Sequence, residues 1–129
     1  MTTSTATALS PILHRIVLCV RVLLIIAFSA AGIAKLASAP QMVQVFDGIG
    51  IGQWFRYVTG IVEIIGAVLL LRNATSFFGG LLLATTMVCG VATHLFVIGG
   101  NPAPALMLAL MSAFVAWQLR PILQFNSAR

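Results

Sequence analysis

The sequence predicts an all-α integral membrane protein, an antiparallel four-helix bundle with both termini in the cytoplasm. Three observations lead there. Of the 129 residues, 60% are hydrophobic and only 7% are charged, against about 25% charged in an ordinary soluble domain. The apolar residues gather into four runs, roughly 12–36, 54–71, 76–98 and 103–119, each close to the length a helix needs to cross ~30 Å of hydrocarbon. The basic residues stand at the ends of these runs. Arg15, Arg72, Arg120 and Arg129 fall on one side, with Arg21 just inside the first run; Lys35 and Arg56 fall on the other, with Asp47 between them. An excess of Arg and Lys marks the cytoplasmic side. The net charge of +5 is therefore assigned to membrane orientation, and the expected surroundings are a lipid bilayer, with no nucleic-acid partner.

Residues 1–11, rich in Thr, Ser and Ala, read as a disordered tail, 12–120 as one four-span domain and 121–129 as a C-terminal tail. The first run has the outline of a signal peptide, with Ala37-Ser38-Ala39 as a cleavage site. Arg21 interrupts it, however, it exceeds the length of such a segment, and Lys35 and Pro40 crowd the cut. It reads as a retained span. At ~100° per residue, His14, Arg21, Phe28, Gly32 and Lys35 share one face, which should be the buried one.

The first connection, about 37–53, contains Pro40, Phe46, Asp47 and the glycines of Gly48-Ile49-Gly50-Ile51-Gly52. Met42, Val43, Val45 and Phe46 predict a short helix at the outer interface, followed by a glycine hinge. In the second span Glu63 stands near the middle of an apolar stretch. A charge at such a depth costs about 2.5–3.5 kcal/mol on insertion scales, so it should face inward toward a partner. Arg56, Thr59, Gly60, Gly66 and Ala67 share its face, and small residues let a neighbouring backbone approach. Trp54 and Tyr57 suit the outer aromatic belt and Trp117 the inner one.

The connection Arg72-Asn73-Ala74-Thr75 is short, which makes the second and third spans antiparallel neighbours. The third presents Ser76, Gly79, Gly80, Leu83, Met87, Gly90 and His94 as a stripe. Gly99-Gly100-Asn101-Pro102 makes a tight outer turn into the fourth, where Ala105, Ala109, Ser112, Ala113 and Ala116 form a seam for helix packing or for a homo-oligomer.

Depth decides which polar groups can meet. Counted from the span ends, Arg21 and Glu63 lie within a few ångströms of each other, which predicts a buried Arg21–Glu63 pair. Lys35, Arg56 and His94 lie nearer the outer surface, as a polar pocket over that pair. A positive pocket capped by aromatics suits an anionic or quinone-type head group. Haem and metal are not expected: His14 and His94 belong near opposite faces, and there is no Cys/His metal spacing. Cys19 and Cys89, at about 10 Å and 20 Å from the cytoplasmic end, are too far apart in depth for a disulfide and read as packing residues.

In order along the chain, Arg21, Ala31-Gly32-Ile33-Ala34-Lys35, Gly60-Ile61-Val62-Glu63-Ile64-Ile65-Gly66-Ala67 with Leu69-Leu70-Leu71, and His94 resemble the DoxX-like family of small four-helix membrane proteins. The resemblance runs from about Arg21 to Leu110. It implies a bacterial inner-membrane protein that is a membrane subunit or anchor of a quinone- or thiol-linked oxidoreductase system, with a redox protein partner, and an accessory subunit rather than a self-sufficient enzyme. The family often has a proline after the glycine before the second span, where this chain has Gly50-Ile51-Gly52. The residues themselves leave two other classes open: a carrier or channel for a small solute, proton or lipid, and a structural interaction protein.

Overall fold

The computed structural model describes residues 10–121. The tails expected at 1–11 and 121–129 fall outside it apart from Ser10, Pro11 and Pro121, as does Arg129. Among the described residues the fold is all-α: α1 Pro11–Leu36, α2 Pro40–Ile49, α3 Trp54–Leu69, α4 Asn73–Thr93 and α5 Ala103–Gln118, with α4 running on into a π-helical turn, His94–Ile98.

Local chemistry sets the boundaries. Ser10 Oγ accepts the Leu13 N–H at 3.2 Å and Pro11 opens α1, so the start of that helix is capped by its own sequence. Pro40 opens α2, and Gly50 closes it in the left-handed region at φ 84°. In the α3–α4 turn, Thr75 Oγ1 donates to the Leu69 carbonyl at 2.6 Å and Ser76 Oγ to the Leu70 carbonyl at 3.3 Å. These hydroxyls satisfy carbonyls that the end of α3 leaves without helical partners.

α1 packs on α3, α3 on α4, α4 on α5, and α5 back on α1. Each neighbouring pair runs antiparallel. Gly32 meets Gly60 where Arg21 meets Leu70, and Gly80 meets Ser112 where Gly90 meets Ala105. The seams are glycine contacts. A Cβ on Gly79 would stand 2.9 Å from the Gly66 carbonyl oxygen, and one on Gly80 would stand 2.7 Å from that of Ser112. The apolar centre joins Leu24, Phe28, Ala67, Leu70, Leu83 and Val115. The stripe predicted on the third span is buried at Ser76, Gly79, Gly80 and Leu83, and the face around Glu63 is buried at Arg56, Gly60, Gly66 and Ala67.

The surface is inverted relative to a water-soluble protein. Ile26, Leu23, Ile33, Val68, Val88 and Leu110 are exposed, while Arg21, Arg56, Glu63, Ser76 and Ser112 are buried. Such an exterior needs an apolar solvent. Two helices are long and apolar enough to cross a membrane, Pro11–Leu36 and Asn73–Ile98. α3 and α5 have 16 residues each, about 24 Å of rise. Cys19 and Cys89 are free and exposed. Cys19 falls on the apolar outer side of α1 and is not the packing residue that its size suggests, whereas Cys89 is exposed at a cavity between the helices.

Close contact at Gly80 and open contact at Gly90, where a Cβ would stand 3.7 Å from Ala105, separate two substitutions. Gly80→Ala should cost about 1–3 kcal/mol by forcing backbones apart, and Gly90→Ala should be near neutral. Unfolding titrations in mixed detergent micelles measure both.

Candidate functional site

One cavity, of about 310 Å³, lies between the halves of the helices next to α2. α1 contributes Phe28, Ala31 and Lys35. Met42, Val45, Phe46 and Ile49 come from α2, Phe55, Thr59 and Glu63 from α3, and Met87, Cys89 and His94 from α4 and its π-helical turn. The walls are mainly apolar, and the charged groups among them are Lys35 and Glu63. Phe46, 5% exposed, stacks edge-on against Phe55 with ring centroids 5.8 Å apart, which fixes α2 over the mouth of the cavity.

Glu63 is paired with Lys35. The ammonium Nζ donates to Glu63 Oε1 at 3.1 Å and to Oε2 at 3.0 Å, and the carboxylate side chain is only 3% exposed. The Gly32–Gly60 contact makes the pair reachable. It brings the backbones of α1 and α3 together one helical turn from Glu63, so the lysine stem lies along α3 and delivers its ammonium inward.

The expected Arg21–Glu63 pair is therefore corrected. Arg21 is buried as predicted, but its Nε and Nη2 donate to the Leu70 carbonyl at 3.1 and 2.7 Å, and its Nη1 to Asn73 Oδ1 at 2.5 Å. The depth count failed because the helices have unequal lengths. α1, with 26 residues, rises ~39 Å against ~24 Å for α3, and its first turns overhang the α3–α4 connection. Arg21 is thus level with the end of α3, about 10 Å along that helix from Glu63, and serves as a cap for it.

Arg56 also has a structural post. It donates through Nε to Gln53 Oε1 at 2.7 Å and through Nη1 to the Lys35 carbonyl, and its guanidinium lies 4.3 Å from the centre of the Tyr57 ring. It does not line the cavity. Gln53, which sequence reasoning missed, donates from Nε2 to Asp47 Oδ1 at 2.7 Å and to the Val43 carbonyl at 3.1 Å. It ties α2 to the start of α3. Its only signal in the sequence is its place just before α3, among groups whose partners depend on how α2 folds back.

His94 lines the cavity, and its Nδ1 lies 2.9 Å from the Gly99 carbonyl oxygen. A carbonyl can only accept, so Nδ1 carries the proton and Nε2 is left as an acceptor in the neutral ring. The π-helical turn adds the bend that folds Gly99, at φ 70°, back onto the imidazole. Lys35, Glu63 and His94 are thus brought together around the cavity, whereas Arg21 and Arg56 are held beside it. No cluster of three or more metal-ligating side chains occurs among the described residues.

Lys35→Met would leave a buried carboxylate without its partner, and should cost about 3–5 kcal/mol. The double variant Lys35→Met/Glu63→Leu should recover most of that loss, since an apolar pair of similar volume replaces a desolvated ion pair. Detergent unfolding of the two variants beside the wild type measures the difference.

The sequence profile of the DoxX-like family matches residues 19–118. No curated protein and no solved structure matches the chain. The matched stretch takes in every side chain that lines the cavity and extends beyond the segment that carries the resemblance in the sequence. With its two long apolar helices, the chain is a membrane protein and belongs to the DoxX-like family.

Proposed function

We propose that this protein is a multi-pass protein of the bacterial inner membrane, a four-helix bundle with cytoplasmic termini. In this reading it is a membrane subunit or anchor of a quinone- or thiol-linked oxidoreductase system and binds a small ligand in the cavity at Glu63. Residues 12–120 are the functional domain. The observation that carries the reading is the cavity itself, a phenylalanine- and methionine-walled space with one buried ion pair in its wall. Ligand sites commonly combine mostly apolar walls with a few placed polar groups, at volumes of about 300–1,000 Å³. The oxidoreductase setting comes from the family resemblance. Cys19 and Cys89 are free, on helices whose depths separate them, so electron transfer falls to the ligand or to a partner protein.

The bilayer placement is supported by the inverted surface and by the aromatic side chains at the helix ends. Trp54 and Trp117 are 61% and 64% exposed, at opposite ends of the bundle, where interfacial tryptophans belong. Arg120 lies 4.0 Å from the Trp117 ring centre, on the side assigned to the cytoplasm.

One feature favours a carrier as the second reading. α2 closes the outer mouth between two left-handed residues, Ser38 at φ 58° and Gly50 at φ 84°, as the gate of a carrier would.

Two experiments test this. Green fluorescent protein fused after Arg129 should fluoresce, and alkaline phosphatase fused after Gly50 should be active; the opposite pattern inverts the topology. Purification in mild detergent, followed by mass spectrometry of everything that co-purifies, should find a small molecule or redox protein with the wild type that is lost from a folded Glu63→Gln variant. Wild-type protein free of ligand and partner that nonetheless carries solute flux in liposomes would establish the carrier instead.

A further inference from the structure

We infer that the cavity takes an uncharged molecule with a hydroxyl group on a small apolar body, and that the hydroxyl seats between Lys35 and Glu63. The inference rests on the reading of the cavity as a ligand site, and names the chemistry of what enters it.

Charge excludes the alternatives first. Lys35 and Glu63 both line the cavity and neutralise each other at 3.0 Å. Arg56, the next cation along α3, is committed to Gln53, to the Lys35 carbonyl and to the Tyr57 ring, outside the lining. The site therefore offers no uncompensated charge. An anionic or cationic ligand would bring its own into an apolar enclosure without a counter-charge, at a large desolvation cost. This replaces the positive pocket expected from the sequence with an electrically balanced one.

Hydrogen-bonding capacity then selects the group. An ammonium has three N–H donors, and Lys35 uses two on Glu63, which leaves one. A carboxylate has about four lone-pair sites, of which that bidentate contact occupies two. Apart from the thiol of Cys89, a weak donor, the other polar side chains in the lining are already committed as donors. Thr59 donates to the Arg56 carbonyl at 3.0 Å, Thr86 to that of Leu82 at 2.8 Å, Thr93 to that of Cys89 at 2.8 Å, and His94 through Nδ1 to that of Gly99. One strong donor and adjacent acceptor sites are thus open at the same point in the wall. A hydroxyl is the smallest neutral group that meets both: its oxygen accepts from Lys35 Nζ, and its proton goes to a Glu63 oxygen. A carbonyl would meet only the donor. Phe28, Phe46, Phe55 and Met87 enclose the rest of the molecule, and a volume of about 310 Å³, at the low end for ligand sites, limits the enclosed part to a small body.

Four probes with one apolar body separate these possibilities: para-ethylphenol, para-ethyltoluene, para-ethylbenzoate and para-ethylbenzylamine. Each is titrated by calorimetry at neutral pH into the purified full-length protein, with protein-free micelles as the blank. The phenol should bind at least about tenfold more tightly than each of the others, as hydrogen bonds to charged groups allow. In the Lys35→Met/Glu63→Leu variant the order of phenol and hydrocarbon should reverse. A charged probe or the hydrocarbon that binds the wild type as well as the phenol overturns the inference and leaves the cavity standing as a ligand site. An unchanged order in a folded double variant overturns the seating between Lys35 and Glu63. Failure of all four probes to bind above the micelle blank overturns both the inference and the ligand site.

Discussion

The Lys35–Glu63 ion pair depends on two residues that have no side chains. A Cβ on Gly32 would stand 2.7 Å from Ile64 Cδ1 and 2.9 Å from the Gly60 carbonyl oxygen, and one on Gly60 would stand 3.0 Å from Lys35 Cβ. Only glycine at both places lets α1 and α3 lie this close. The contact sets the register between the helices, and with it the depth of every polar group they carry. Lys35 comes to Glu63, Arg21 comes to the end of α3, and the overhang of α1 below the α3–α4 turn follows from the same alignment.

From that pair a line of polar contacts leads outward. Arg56 holds the carbonyl of Lys35 and the side chain of Gln53, and Gln53 holds α2 through Val43 and Asp47. α2 is therefore joined to the pair by hydrogen bonds as well as by the Phe46–Phe55 contact. The cover of the cavity and the charges in its wall form one connected assembly, so a ligand that disturbs the ion pair also acts on the element above it.

Much of this was legible in the residues. The helix positions followed from apolar run lengths, and the buried faces of α1, α3 and α4 from the placing of small and polar residues at helical spacing, except that His14, expected on the buried face, lies in the overhanging first turn of α1 and is exposed. Glu63, Lys35 and His94 stood out because ionisable groups are scarce in this sequence. What the sequence withheld was pairing. A depth count needs a common origin, and the first run, though visibly longer than the second, does not say at which end its excess lies; that offset is a tertiary result of the Gly32–Gly60 contact. The role of Gln53 was hidden for a similar reason, because its partners lie on a helix whose fold-back is set by backbone conformations at Ser38 and Gly50. The outward placing of Cys19 shows the converse limit, since a small thiol suits a packed seam and a lipid-facing surface equally.

The uneven distribution of charge among the helices bears on how the protein is made. In the proposed arrangement α3 carries Arg56 and Glu63 into the bilayer on a helix of 16 residues, and each buried charge opposes its entry by a few kcal/mol when it is alone. α1 is synthesised first, is long and apolar, and holds Lys35 and the Lys35 carbonyl that meet those two charges. α3 thus gains its counter-ion and its hydrogen-bond acceptor only alongside α1. In that arrangement α1 is the template beside which a segment with two buried charges becomes soluble in lipid.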